Sequence, residues 1–287
     1  MFCRVLLKVN TKKYCLTESG ARRLLPRIHS SDNKASRGRS LILAGSSEYP
    51  GAGILAARAA ARAGSGYVIL AQKNIPFISS EHPDFLPCDL NKTKLQDLNY
   101  KAVLIGPGFG VNEDTAAMIE YLKKSGTSDV VIDADALTVC AQFQLFPLPR
   151  DWIATPHAGE LARCLGISVE EVNRNRDEAL KKAHIHMGCV VLLKGHRTLM
   201  MREQRIYINK TGNSALAKAG TGDVLAGILT AFRAQGLSSL RSTLLGAYVH
   251  GKTAEVWVEE GLDSLSMMAS DVVELIPRVL FELRQGR

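Results

Sequence analysis

From residue 40 onward, short apolar runs alternate with helical stretches. SLILA (40–44) precedes PGAGILAARAAARAG, an Ala-rich segment with Pro50 near its start and Gly64 near its end, the punctuation of a helix. YVILA (67–71) reads as the next strand. KAVLIG, DVVID, WIATP and CVVLLK repeat the form, each a short β-branched and apolar run ending in Gly, Asp, Pro or Lys. Continuous apolar runs of this kind belong in a sheet covered on both faces. One helix between them opens with Ser168-x-x-Glu171, the spacing of a capping box. LMMREQRIYIN (199–209) reads as a hairpin, two short strands around a polar centre. Helices are then expected over 223–235, 239–260 and 266–285, the last kinked at Pro277. Strands alternating with helices predict an α/β fold with a mostly parallel sheet and right-handed crossovers. Ligands of such folds bind outside the carboxyl ends of the strands. The polar residues that end each run therefore carry the candidate chemistry.

Bulk properties narrow the picture. The 287 residues show no linker and no break in composition, so one domain with a sizeable core is expected. Apolar residues make up 46% and charged residues 22%, the balance of a soluble globular protein. The net charge of +8 is scattered, without a basic run interleaved with aromatics. That argues against nucleic acid and suits anionic small ligands. The six cysteines form no C-x-x-C pair and no zinc spacing, so reduced thiols and a cytoplasmic setting are expected. No apolar run approaches the ~20 residues that span a bilayer. Residues 1–15 are basic and lack the apolar length of a secretion signal, and read as a short disordered extension before a domain over 16–287.

Six strand or helix ends converge in such a sheet: AGSSEYPGAG (44–53), IGPGFG (105–110), DADAL (133–137), TPHAGE (155–160), LLKGHRT (192–198) and TGN with AGTGD (211–223). In AGTGDVLAGI, the glycines let backbone N–H groups of a helix start approach a ligand. Gly220, Thr221 and Gly222 then form an anion hole, a cradle for a phosphoryl group. Asp223 beside it is the candidate general base, taking a proton from a hydroxyl that attacks that group. A plain helix-start Asp is the structural alternative, worth ~0.3–1 kcal/mol to the helix. No G-x-x-x-x-G-K-[ST] loop occurs, and GPGFG lacks the spacing of a dinucleotide fingerprint. The bare backbone of GPGFG suits either a strand-end turn or a flat ligand. His157 and Glu160 share a face of a first helical turn. Glu160 can hold Mg²⁺, directly or through water, and His157 can bond a substrate; the alternative is a capping carboxylate and a surface His. KGHRT offers Lys194, Arg197 and Thr198 to phosphates. Asp133 and Asp135 can support a metal or cap the following helix. His250, inside a helix, reads as a packed residue.

These motifs, in this order from about Leu16, resemble those of the ADP/ATP-dependent NAD(P)H-hydrate dehydratases, a branch of the ribokinase-like superfamily. LTESGARRLLP is similar to the family's opening helix, and YVHG closes the series. GTGD is common to many ribokinase-like kinases; TPHxxE with N-x-ALAKAGTGD is far more specific. Lys34-Ala35 departs from the family's frequent Lys-Gly, with Gly38 following later. The resemblance implies a three-layer α/β/α fold and a repair reaction. Hydrated NADH or NADPH carries a hydroxyl at C6 of the nicotinamide ring; ADP or ATP phosphorylates it and phosphate is expelled. By motif match, Ala52, Gly106, Gly108, His157 and Asp223 would contact the hydrated dinucleotide. Lys194, Gly195, His196, Arg197, Thr198 and Gly222 would contact the adenine nucleotide, and Glu160 stands where related kinases place a Mg²⁺-linked Glu. A separate NAD(P)H-hydrate epimerase and a homotetramer are implied as well. A ribokinase-like kinase of a small alcohol, and a nucleotide-binding protein without catalysis, are the competing readings.

Overall fold

The computed structural model describes residues 11–73 and 83–286. Among these, ten strands form one sheet: β1 (Lys12–Cys15), β2 (Arg39–Leu43), β3 (Tyr67–Gln72), β4 (Leu86–Asp89), β5 (Ala102–Ile105), β6 (Val130–Ile132), β7 (Ile153–Ala154), β8 (Val190–Leu193), β9 (Leu199–Arg202) and β10 (Arg205–Ile208). Their order across the sheet is β1-β10-β9-β8-β7-β6-β5-β2-β3-β4. Pairing is parallel throughout, except that β9 runs antiparallel to both β8 and β10, as the expected hairpin requires.

The helices are α1 (Glu18–Arg22), α2 (Pro50–Arg62), α3 (Glu113–Lys124), α4 (Asp135–Gln142), α5 (Ala158–Leu165), α6 (Val169–Arg174), α7 (Arg176–Met187), α8 (Thr221–Ala234), α9 (Ser239–Glu259) and α10 (Ala269–Gln285). Two apolar cores flank the sheet. Along β2, Ile42 enters the core under α2, α8, α9 and α10, while Leu41 and Leu43 enter the one under α3, α4, α5 and α7. Along β8, Val190 and Leu192 take the first side, Val191 and Leu193 the second. Both faces being covered is why these strands carry unbroken apolar runs.

The strand order reverses beside β2. The chain moves from β2 through α2 to β3 and β4, then returns to β5 on the other side of β2 and continues to β8. Right-handed crossovers in opposite directions deposit their helices on opposite faces, and the two cores divide in that way. A reversal of this kind opens a crevice at the carboxyl ends of β2 and β5.

Three expectations need correction. The reading of residues 1–15 as a disordered extension fails at its inner end, where β1 pairs in parallel with β10 and Tyr14 stacks on Tyr207 at 5.5 Å; residues 1–10 lie outside the described residues. β1 is exposed along its length and carries Lys12 and Lys13, so it lacks the apolar run that betrays an inner strand. β4 escaped for the same reason: it is an edge strand, where Pro87 is tolerated. Third, the Ser168–Glu171 box forms on one side, with the Ser168 hydroxyl accepting the Glu171 N–H at 3.1 Å. α10 starts at Ala269, three residues later than expected, and continues through Pro277. Among the described residues no helix is long and apolar enough to cross a membrane.

α8 is buried along nearly its whole length and lies directly on α2. A Cβ at Gly227 would stand 2.2 Å from the Ala56 carbonyl oxygen, so the two helices meet backbone to backbone. Gly51, in the first turn of α2, has open space around its Cβ position. Opposite signs are therefore expected in urea unfolding. Gly227→Ala should destabilise by ~1–3 kcal/mol through overpacking, whereas Gly51→Ala should be neutral or stabilise by up to ~1 kcal/mol through helix propensity.

Candidate active site

The crevice at the reversal is built by glycines. Gly45 (φ +82°) donates its N–H to the Pro107 carbonyl at 2.7 Å, and Gly106 donates to Leu43 at 3.1 Å. The turns after β2 and β5 are thereby tied together. A Cβ at Gly106 (φ +131°) would lie 1.9 Å from the Asp133 carbonyl oxygen. One at Gly108 (φ +57°) would lie 2.7 Å from Tyr49 Cβ and 3.2 Å from Ala52 Cβ. Ala52, Gly106 and Gly108, expected together, do meet here. The glycines are required first by the close approach of backbone to backbone, whatever else they face.

At the end of β6, Asp133 and Asp135 turn to different partners. Asp133 is 1% exposed and its Oδ1 pairs with Lys194 Nζ at 2.8 Å. Asp135 Oδ2 accepts the Gly110 N–H at 2.9 Å and so holds the GPGFG turn. Ala134 between them adopts φ 48° and ψ −120°, a left-handed conformation that costs a residue with a side chain ~1–3 kcal/mol. Neither Asp caps α4 with its side chain, as the sequence had suggested; Ala134 is the N-cap.

Lys194 is the centre of this edge. It directly follows β8, its backbone N–H reaching the Pro156 carbonyl at 2.9 Å. Its ammonium also lies 3.6 Å from Glu160 Oε2. Burial works against the Lys194 charge, but Asp133, Glu160 and Asp223 outweigh it and hold its pKa above the ordinary value. Glu160 is shifted upward, by burial first and by Asp133, against the pull of Lys194.

His157 and Glu160 open α5 with a reciprocal cap. His157 Nδ1 accepts the N–H groups of Gly159 and Glu160, at 3.0 and 3.3 Å, while Glu160 Oε2 accepts the His157 N–H at 2.8 Å. Nδ1 is thus an acceptor and the ring proton sits on Nε2, 3.3 Å from Glu160 Oε1. The capping alternative raised by the sequence is what this pair does structurally. The exposed imidazole rim still faces solvent at the mouth of the edge, 57% accessible.

α8 begins two residues earlier than its expected start at 223, so Asp223 is the third residue of its first turn. Gly220 is the N-cap, with φ +88° and a Cβ position 2.6 Å from Leu55 Cδ1. The Thr221 hydroxyl is 2.9 Å from the carbonyls of Leu216 and Lys218, and its N–H points to Lys218 at 3.4 Å. Val224 N–H bonds Gly220. Gly222 and Asp223 keep the first-turn N–H groups that have no carbonyl one turn back. A Cβ on Gly222 would sit 3.5 Å from Lys194 Nζ, so this helix start faces the ammonium. Burial lifts the Asp223 pKa to about 7; Asp133, Glu160 and Asp135 add to the rise and Lys194 opposes it. A carboxyl group poised near neutrality beside an ammonium and free N–H groups can exchange a proton with a hydroxyl next to an anion.

Gly195, His196 and Arg197 form an exposed turn beyond Lys194, with Arg197 at φ 53°. Thr198 Oγ1 donates to the Gly195 carbonyl at 3.1 Å and closes the turn. Arg176, the first residue of α7, supports it from beneath: its guanidinium donates to the carbonyls of Leu193 and Lys194, at 3.3 and 3.1 Å, and to that of His196. The sequence offered no signal for Arg176, since NRNRDE reads as the polar start of a surface helix. His250 was read as packed, and it is. Yet its Nε2 also lies 2.9 Å from the Thr221 carbonyl, at the opening of α8.

The family profile described as NAD(P)H-hydrate dehydratase matches residues 40–278. The ADP-dependent (S)-NAD(P)H-hydrate dehydratase of Bacillus subtilis is 31% identical, over 92% of this chain and 96% of its own. The Neisseria meningitidis protein of the same name is 34% identical over 84% of each. The bifunctional NAD(P)H-hydrate repair enzyme of Dictyoglomus turgidum is 32% identical over 89% of this chain; the match spans 53% of that protein, so this chain covers about half the length of such relatives. A Bacillus subtilis ADP/ATP-dependent NAD(P)H-hydrate dehydratase co-crystallised with ATP and Mg²⁺ superposes with a TM-score of 0.85 and 29% identity, over 96% and 99% of the two chains. A ribokinase-like superfamily protein of Enterococcus faecalis, 21% identical, superposes at 0.84 over 99% and 100%, and shares the fold.

The raised Asp223 pKa has a consequence for stability. The unfolded chain ionises this group near 3.8 and the folded chain near 7, so its contribution to stability is present below 3.8 and is lost as pH rises toward and through 7. Asp223→Asn removes that loss. Its melting temperature should exceed the parent's at pH 8, and the gap should shrink steadily in melts at pH 6 and pH 5.

Proposed function

We propose that this chain, which belongs to the NAD(P)H-hydrate dehydratase family, dehydrates the (S)-form of hydrated NADH or NADPH at the expense of a nucleotide phosphate. One observation carries the reading: Asp223, poised at about 7, sits in a first helical turn that approaches Lys194 at Gly222. That combination suits a base beside a phosphoryl group in transfer.

In this reading the hydrated ring lies along Ala52, Gly106 and Gly108, with His157 at the rim. The adenine nucleotide lies over Lys194, Gly195, His196, Arg197 and Thr198. Its phosphates point at Gly220, Thr221 and Gly222. Asp223 takes the proton of the C6 hydroxyl as that oxygen attacks the terminal phosphorus. The bond from that phosphorus to the departing nucleotide breaks. Lys194 and the Gly222 N–H meet the charge on the transferred group. The phosphate ester then leaves from C6 with its oxygen, C5 loses a proton, and the C5–C6 double bond of the dihydropyridine returns. Phosphate is a far better leaving group than hydroxide, which is the use of the nucleotide. The relatives named ADP-dependent favour ADP as donor over ATP.

Magnesium fits as a companion of the nucleotide rather than a resident. Among the described residues no three His, Cys, Asp or Glu side chains group as a metal site. The donors at hand are hard carboxylate oxygens, which suit Mg²⁺ whose remaining positions are filled by phosphates and water. Glu160 would hold it, directly or through water, and the ion would neutralise phosphate charge. An NAD(P)H-hydrate epimerase is the expected functional partner, a homotetramer the expected assembly, and the cytoplasm the expected setting.

The test mixes purified protein with hydrated NADH, Mg²⁺ and either ADP or ATP, and follows the absorbance of reduced nicotinamide. Recovery that needs a nucleotide supports the dehydratase. No recovery, from protein that still binds nucleotide, points to a kinase of a small alcohol. Asp223→Asn should keep nucleotide binding and lose roughly 10²–10⁴-fold in rate, the usual worth of a general base. The base must be ionised, so kcat/KM should rise with pH through a midpoint of about 7. Lys194→Ala should weaken nucleotide binding by roughly 10–100-fold, the worth of a hydrogen bond to a charged group. Calorimetry should find less loss for the hydrated dinucleotide; equal losses would contradict this division of the site.

A further inference from the structure

His250 lies midway along α9, and the proposed chemistry gives it no role. Its ring is held at one atom. Nε2 is 2.9 Å from the Thr221 carbonyl oxygen. A carbonyl oxygen only accepts, so Nε2 carries the hydrogen and donates. Burial pushes the His250 pKa down to about 4; the bond to Thr221 opposes the shift and Lys194 adds to it. The ring is therefore a neutral donor across the working pH range.

The element that presents it is clamped. Asn209 Nδ2 donates to the Ala247 carbonyl at 2.9 Å, Thr211 Oγ1 to that of Tyr248 at 3.1 Å, and Asn213 Nδ2 to that of Ala254 at 2.7 Å. A Cβ at Gly251, the residue after His250, would stand 2.2 Å from Thr211 Oγ1, so α9 presses directly on that segment. His250 cannot shift without breaking this seam.

The bond acts on a rigid unit. In a trans peptide the C=O of one residue and the N–H of the next share a plane and point in opposite directions. A donor fixed on the Thr221 carbonyl therefore aims the Gly222 N–H away from α9. Lys194 Nζ lies close to the same residue, 3.5 Å from the Cβ position that Gly222 lacks. The Thr221 hydroxyl, bonded toward Leu216 and Lys218, fixes the same residue through its side chain.

We propose that His250 is a positioning residue: its Nε2–H holds the Thr221–Gly222 peptide so that the Gly222 N–H faces the phosphoryl group in transfer. This rests on the proposed phosphoryl transfer at Asp223. The N–H gains most when charge builds on the transferred group, so the effect belongs to kcat and not to ground-state binding.

Two substitutions separate the donor from the bulk. His250→Gln keeps an N–H near the place of Nε2; His250→Leu removes it at similar volume. With hydrated NADH and the better nucleotide, His250→Leu should lower kcat by roughly 10–100-fold, somewhat less than deleting an oxyanion donor outright. Its KM values should stay close to the parent's, and His250→Gln should recover most of the loss. An unchanged kcat in His250→Leu, or equal losses in both variants, would overturn the role. Long-range proton–nitrogen spectra of the unsubstituted protein give a readout independent of turnover and of how well the variants fold. They should show His250 protonated on Nε2 and untitrated down to about pH 5; protonation on Nδ1 instead would overturn it. A parent protein inactive with both nucleotides would count against the dehydratase reading, while the ring spectrum would still decide the bond itself.

Discussion

The edge of the sheet that carries the candidate chemistry depends on one ammonium among several carboxylates. Lys194 follows β8, Asp133 follows β6, and Glu160 sits in the first turn of the helix after β7. One buried cation thus ties the ends of three neighbouring strands. A buried ion pair is weak evidence for stability, because desolvation offsets attraction, but removing one member leaves the rest unpaired and costs a great deal. Here negative groups outnumber positive ones. That surplus, on top of burial, is what lifts Asp223 toward neutrality. It also sets a condition on any ligand: a phosphate entering beside so many carboxylates needs cationic company.

The rest of the site is made by leaving things out. Gly106 and Gly108 let two strand-end turns lie against Asp133 and α2, and Gly222 lets the start of α8 approach Lys194. Gly106 meets the Asp133 backbone, Gly108 meets the Cβ atoms of Tyr49 and Ala52, and Gly222 lies near the Lys194 ammonium, each with no side chain of its own between. Such contacts are stiff, and stiffness is what a preorganised electrostatic site requires. The strained Ala134 belongs to the same economy of space, since its conformation directs Asp133 inward while Asp135 holds the glycine turn.

Much of this was legible in the chain, for identifiable reasons. Strands β2, β3 and β5 to β8 are covered on both faces, so their apolar runs are continuous and visible. Among the described residues β1 and β4 stand at the two edges of the sheet, and their short segments, KKYC and LPCD, carry no continuous apolar run. The glycines and Asp223 stood out because glycines cost a helix start conformational entropy, and a close approach of backbone is what repays it. Arg176 and the polar function of His250 did not stand out. Both act through carbonyl oxygens of distant segments, and a carbonyl is present at every residue, so no side-chain pattern reports it. Glu160 stood out, but its reciprocal cap with His157 depends on imidazole serving as an N-cap acceptor, which is outside the usual Ser, Thr, Asp and Asn.

β1 has a consequence for the order of assembly. Lys12 pairs with Arg205, and Cys15 with Ile208. Its partner strand, β10, is translated after every other strand described in the sheet. A nascent chain therefore carries this segment unpaired while the rest of the sheet is being laid down, and closing so long a loop comes late in folding. Lys12 and Lys13 suit that interval, since adjacent like charges along a waiting strand discourage it from adding to a neighbouring chain. Of the described strands, the first to leave the ribosome thus has its partner only once the last has been made.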